Sequence, residues 1–149
     1  MTTGMEPTET GSFQVMRGND TLHIVLSSSL ENIDRVDRET KIFLRQNGHE
    51  QEIFIICLGL REALTNAIRH GHHFELSKKV HFSLEIHGHR LVMEVEDQGE
   101  GFNWRAAQAK EPGLTADHGR GLAIIRKFFD AHGFNERGNK IVLFKALKA

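Results

Sequence analysis

The chain has 149 residues, 39% of them hydrophobic and 26% charged, which suits one globular domain with its own core and excludes a disordered chain. A formal net charge of -1 lacks the basic excess of proteins that grip a phosphate backbone, so no direct nucleic-acid partner is expected. The single cysteine, Cys57, excludes an internal disulfide and any zinc site built from cysteines.

Residues 1–12, MTTGMEPTETGS, have neither a basic flank nor an apolar stretch and are expected to form a flexible tail ahead of one domain at 13–149. No apolar run reaches the length of a membrane span, so a cytoplasmic protein with no membrane partner is expected. Short strand-like runs at 13–15 and 22–26 flank Gly18-Asn19-Asp20, which reads as a hairpin turn. Ser27, Ser28 and Ser29 then offer N-caps to a helix carrying Leu30, Ile33, Val36, Phe43 and Leu44, which stops at Asn47-Gly48. A second helix is predicted from about residue 50 to 70.

The next two segments alternate strictly. Val80, Phe82, Leu84 and Ile86 share one face of a strand, and Leu91, Met93 and Val95 share the same side of the next, with His87-Gly88-His89 as the turn. Asp97 continues that alternation. Residues 102–118 lose clear period and read as a lid. Leu122, Ile125, Phe128 and Phe129 mark a third helix closing near Gly133, and a last hairpin at Gly138-Asn139 leads into KIVLFKAL.

Three segments carry candidate chemistry. On the second helix, at about 100° per residue, Ile53, Ile56, Leu60, Leu64 and Ala67 fall on one arc, and Gly59, Glu62, Asn66 and Arg69 on the opposite one. Glu62 and Asn66 are then either the solvated face of an amphipathic helix or a carboxylate that activates a hydroxyl beside an amide that ligates Mg²⁺. Asp97, in DQGEGF, is either ordinary turn chemistry or an acceptor for the exocyclic amine of adenine, with Gly99 and Gly101 giving the base a close approach. Gly119-Arg120-Gly121, completed by Leu122, stands before an apolar helix. It is either a loop end or a phosphate site on free amides, with Arg120 and Lys110 as charge partners. A P-loop sequence is absent. The ten histidines, HGHH at His70 to His73 included, show no converging ligand set and read as surface residues, and Cys57 lies on the apolar arc as an inert core thiol.

EALTNAIRHG, DQGEGF and GRGL, in that order, resemble the N box and the two glycine boxes of the GHKL (histidine-kinase-like) ATPase superfamily, most nearly its small bacterial anti-sigma-factor serine/threonine kinases. The resemblance runs from about Leu22 to the C-terminus. It implies an α+β, Bergerat-type two-layer sandwich: a mixed, mostly antiparallel sheet covered on one face by about three helices. It implies an ATP- and Mg²⁺-dependent kinase that phosphorylates an anti-anti-sigma (STAS-type) protein and sequesters a sigma factor, with homodimerisation among the implied properties. By position, Glu62 matches the acid that activates the acceptor hydroxyl, Asn66 the magnesium ligand and Asp97 the adenine carboxylate. Gly99 and Gly101 match the glycines beside the base, and Gly119 and Gly121 those at the lid hinge. Asp117 and His118 stand where some relatives carry an arginine near the terminal phosphate. The alternative use of such a site is an ATP-sensing switch that controls its partner by binding alone.

Overall fold

The computed structural model describes residues 3–5, 11–71, 77–99 and 118–148. Strands β2 (Phe13–Arg17) and β3 (Thr21–Ser27) form the first hairpin, closed where the Gly18 amide donates to the Thr21 carbonyl at 2.9 Å. Their alternation buries Phe13 and Val15 on one strand and Leu22, Ile24 and Leu26 on the other. Within the expected tail, Thr3–Met5 form β1 and pair with β2 at the sheet edge.

Helix α1 (Leu30–Gln46) starts where Ser29 accepts the Glu31 amide on its hydroxyl at 3.3 Å, an N-cap. It ends in a Schellman motif: Gly48, at φ 78, donates to the Arg45 carbonyl at 3.2 Å, and His49 donates to that of Leu44 at 2.8 Å. After a 3₁₀ turn at Glu50–Glu52, α2 (Ile53–Asn66) runs back beside α1, and its last turn widens into a π-helical segment at Ala67–Gly71. Single π turns of this kind recur at functional sites. Arg61 on α2 ties the two helices together, donating from Nε to Asp37 and from Nη2 to Asp34, each at 3.0 Å.

The long hairpin of β4 (Lys79–His87) and β5 (Arg90–Asp97) forms as the alternation predicts, turning at Gly88 with φ 63. Helix α3 (His118–Phe128) is followed by β6 (Ala131–Phe134) and β7 (Lys140–Ala146). The third helix therefore stops before Gly133, which lies inside β6. The backbone beyond Phe129 takes its partners from β7, starting with the Asp130 amide on the Phe144 carbonyl at 2.9 Å, so extended pairing replaces another helical turn.

The sheet order is β1-β2-β3-β4-β5-β7-β6, and every described pairing is antiparallel, so the expected mixture of strand directions is replaced by a uniform one. One face packs on the helices through residues such as Phe82, Leu84, Leu91 and Met93, all essentially inaccessible, against Ile56, Leu60 and Leu64. His23 and His81 are exposed on the uncovered face. The fold is the expected α+β sandwich. Among the described residues no helix is long and apolar enough to cross a membrane.

Candidate functional site

Alternation brings Asp97 to the last position of β5 on the helix-covered side, where it is only 9% exposed. Its Oδ1 accepts the Gly99 amide at 2.7 Å, its own amide donates to the Asn139 carbonyl at 2.9 Å, and its carbonyl accepts from Asn139 Nδ2 at 2.9 Å. The turn and the site are thus not competing readings of this residue, since the carboxylate that caps the Gly99 turn is also buried at the strand end. Burial pushes the Asp97 carboxyl up to about 6, against the pull of the Gly99 amide and the Arg137 guanidinium. A buried carboxyl held this far above its ordinary range is a candidate functional group.

Glu62 and Asn66 are half-buried on the side of α2 turned away from the sheet, one helical turn apart. Their arc is not a wholly solvated face, which was one of the two readings of the sequence. Gly59 on the same arc is buried, and a Cβ placed on it would fall 2.3 Å from Cζ of Phe129. Side-chain packing from the α3 end of the chain closes that side. On the opposite, apolar side, burial pushes the Cys57 thiol up to about 12, so it stays protonated and inert as expected.

Tertiary packing gathers the elements that carry the three segments around one helix. Helix α2 contacts both β5 and α3, and the π-helical turn that follows Asn66 also rests on β5, the strand that ends at Asp97. The second glycine box differs from expectation in one respect. Gly119 and Gly121 lie inside α3, which begins at His118, and not in a loop ahead of it. The consequence for phosphate binding is small, because the first four amides of a helix have no intrahelical partner and those of 118–121 are the ones concerned. Gly101, Lys110 and the lid, with Asn103 and Trp104, lie outside the described residues, as do the side chains of Arg120 and Leu122.

Among the described residues no group of three His, Cys, Asp or Glu side chains converges as a metal site. A lone amide such as Asn66 fits Mg²⁺, which keeps waters and phosphate oxygens as its other ligands. The buried, amide-capped Asp97 fits an adenine amine. Sequence reasoning found the hairpin turn at Gly138-Asn139 but not that it docks on Asp97 and Gly99. Arg137 Nη2 donates to the Gly99 carbonyl at 2.9 Å, and NERGN reads by itself as no more than a hairpin. Its one signal is the pair Asn135 and Asn139 on either side of Arg137-Gly138.

Comparison with known proteins agrees with this geometry. A family model described as a histidine kinase-like ATPase domain matches residues 26–145, which include all three segments. The chain is similar to the anti-sigma F factor of Clostridium perfringens, 30% identical over an aligned length of 105 that covers 65% of this chain and 74% of that protein. It is also similar to the anti-sigma F factor of Anoxybacillus flavithermus, 29% identical over an aligned length of 92 that covers 58% of this chain and 62% of that one. With the matching model spanning most of its length, this chain belongs to the histidine kinase-like ATPase domain family.

Proposed function

We propose that the protein is an ATP- and Mg²⁺-dependent serine/threonine kinase that acts as an anti-sigma factor, phosphorylating an anti-anti-sigma partner and holding a sigma factor. The observation that carries this reading is the packing of α2, with Glu62 and Asn66, against both the strand ending in Asp97 and the helix opening with Gly119 and Gly121. Similarity to anti-sigma F factors supports the choice of partners.

Each residue has a distinct task in this reading. Asp97 accepts the adenine amine, which selects ATP over GTP, while Gly99 and Gly101 let the base approach. The amides of 118–121 receive phosphate oxygens. Asn66 is the protein's ligand to magnesium, which when bound neutralises phosphate charge. The partner's Ser or Thr oxygen attacks the γ-phosphorus, its bond to the β–γ bridging oxygen breaks, ADP leaves, and Glu62 takes the hydroxyl proton. Glu62 distinguishes a kinase from an ATP-sensing switch, since binding alone needs no base.

The test incubates the protein with ATP labelled on its γ-phosphate and an anti-anti-sigma protein. Label on a Ser or Thr, lost in Glu62→Gln while ATP still binds, is the expected result. Transfer by Glu62→Gln at the wild-type rate removes the base assignment, and ATP binding without transfer to any such partner favours the switch.

A further inference from the structure

The turn between β6 and β7 is fixed from within. Asn135 Oδ1 accepts the backbone amides of Gly138 at 2.8 Å, Asn139 at 3.1 Å and Lys140 at 3.3 Å, and Asn135 Nδ2 donates to Asn139 Oδ1 at 2.6 Å. From that rigid base two side chains reach a segment about forty residues earlier. Asn139 donates to the Asp97 carbonyl, and Arg137 donates to the Gly99 carbonyl, both at 2.9 Å. Gly99 is thereby held at both ends, its amide on the Asp97 carboxylate and its carbonyl on the Arg137 guanidinium. Asn139 is buried and its bonds serve the sheet ladder. Arg137 is exposed, and a folded hairpin does not need its bond to Gly99.

We propose that Arg137 is a positioning residue for nucleotide binding, clamping Gly99 so that the Asp97 carboxylate keeps the geometry an adenine amine requires. The proposal rests on the reading of Asp97 as the adenine acceptor. Charged groups acting on Asp97 include Arg137 from the turn and Lys78 ahead of β4, which favour its charged form, and Glu96 on its own strand, which opposes it. Burial is the largest influence and also opposes the charge. Arg137 therefore works against the strongest force on the carboxylate, and it reaches the turn through a directional bond. Removing it leaves the carboxyl protonated to higher pH and Gly99 free to turn away.

The experiment is calorimetry of ATP binding by the full chain from about pH 5.5 to about pH 8.5, where each unit of upward shift in the carboxyl costs about tenfold in its charged fraction below the midpoint. Arg137→Gln is expected to weaken binding about three- to tenfold near pH 6 and less than about twofold near pH 8.5. Arg137→Lys keeps the charge without the planar fork and is expected to fall between the two. A profile for Arg137→Gln that superimposes on wild type overturns the proposal. An equal loss at every pH overturns it when stability to urea falls as well, which is what general weakening of the fold produces, and supports the clamp on Gly99 when stability is unchanged. If Arg137→Gln does not fold, Arg137→Lys decides alone: ATP affinity equal to wild type at every pH overturns the clamp, and weakened binding with wild-type stability supports it. Asp97→Asn, measured alongside, separates the two claims. Unchanged ATP affinity in that variant sinks the adenine reading, whereas lost affinity there with no effect at Arg137 sinks only the clamp.

Discussion

Gly59 on α2 lies against the ring of Phe129, close enough that a Cβ would meet Cζ at 2.3 Å and Cε1 at 2.4 Å. This contact lies one turn before Glu62 and joins the N-box helix to the segment that follows the second glycine box. Phe129 is only 6% exposed, so its ring cannot swing out to solvent without cost.

Alanine in a helix interior is ordinarily about 1 kcal/mol better than glycine. At Gly59 the overlap with Phe129 reverses the sign, and Gly59→Ala is expected to cost about 1–3 kcal/mol, the usual range for overpacking. Phe129→Leu in the same chain removes the obstructing ring atoms and is expected to recover part of that loss. Urea unfolding of the two variants and their combination checks it. Additive effects of the two changes would show that they do not meet.

Asp97 carries a conflict between stability and binding. Its folded value, about 6, is raised above the ordinary 3.8, so its favourable contribution is complete below about pH 4 and is lost as pH rises through 6. At neutral pH the buried charge is a cost, and Asp97→Asn is expected to stabilise the nucleotide-free protein by about 1–3 kcal/mol. The same change is expected to weaken ATP binding by about a hundredfold, because the amide presents a donor where the adenine amine needs an acceptor. Thermal melts with and without ATP read both effects.

In the wild-type protein the same carboxyl sets a pH limit on nucleotide binding. Only its charged form is an unconditional acceptor, so ATP affinity is expected to hold above about pH 7 and to fall about tenfold per unit well below pH 6. Calorimetry across that range measures it. A flat profile would mean that Asp97 does not meet the base.

Asp37 behaves in the opposite sense. Burial pushes its carboxyl up, but the bonds and charges of Lys41 and Arg61 outweigh burial and hold it below the ordinary range. Its stabilising contribution is present above about pH 4 and is lost as pH falls through the depressed folded value. Asp37→Asn is expected to cost about 1–2 kcal/mol at neutral pH, the scale of a charge-assisted hydrogen bond. Most of the difference should vanish in strong acid. Chemical unfolding at several pH values follows the difference.

Asn66→Ala is expected to separate metal from base. Chelation with EDTA should weaken ATP binding in the wild type, since phosphate charge then goes unneutralised. The variant should bind ATP more weakly and respond less to EDTA, with adenosine binding unchanged in both. Equal sensitivity of variant and wild type to the chelator would remove Asn66 as the ligand.

Much of the architecture is local in origin and was legible. Strict alternation from Val80 to Asp97 gave the hairpin, its covered face and the side to which Asp97 turns. Ser29 and Gly48 marked the ends of α1 through capping geometry that depends on a few neighbouring residues. The order of the three motifs identified the family. Boundaries set by competition were less legible, the clearest being the third helix, which was expected to close near Gly133 but ends at Phe128 because pairing with β7 takes over.

The sequence by itself determined the family and the face that each candidate residue takes, because motif order is explicit and helical and strand periods act over a few residues. Only the tertiary structure decided that Gly59 is occupied by a distant phenyl ring, that Asp97 is buried enough to titrate near 6, and that Arg137 reaches the Gly99 carbonyl. Those three facts come from contacts between segments about 40 to 70 residues apart. Burial and a directed hydrogen bond are properties of a packed neighbourhood, and no local period encodes which neighbour will arrive.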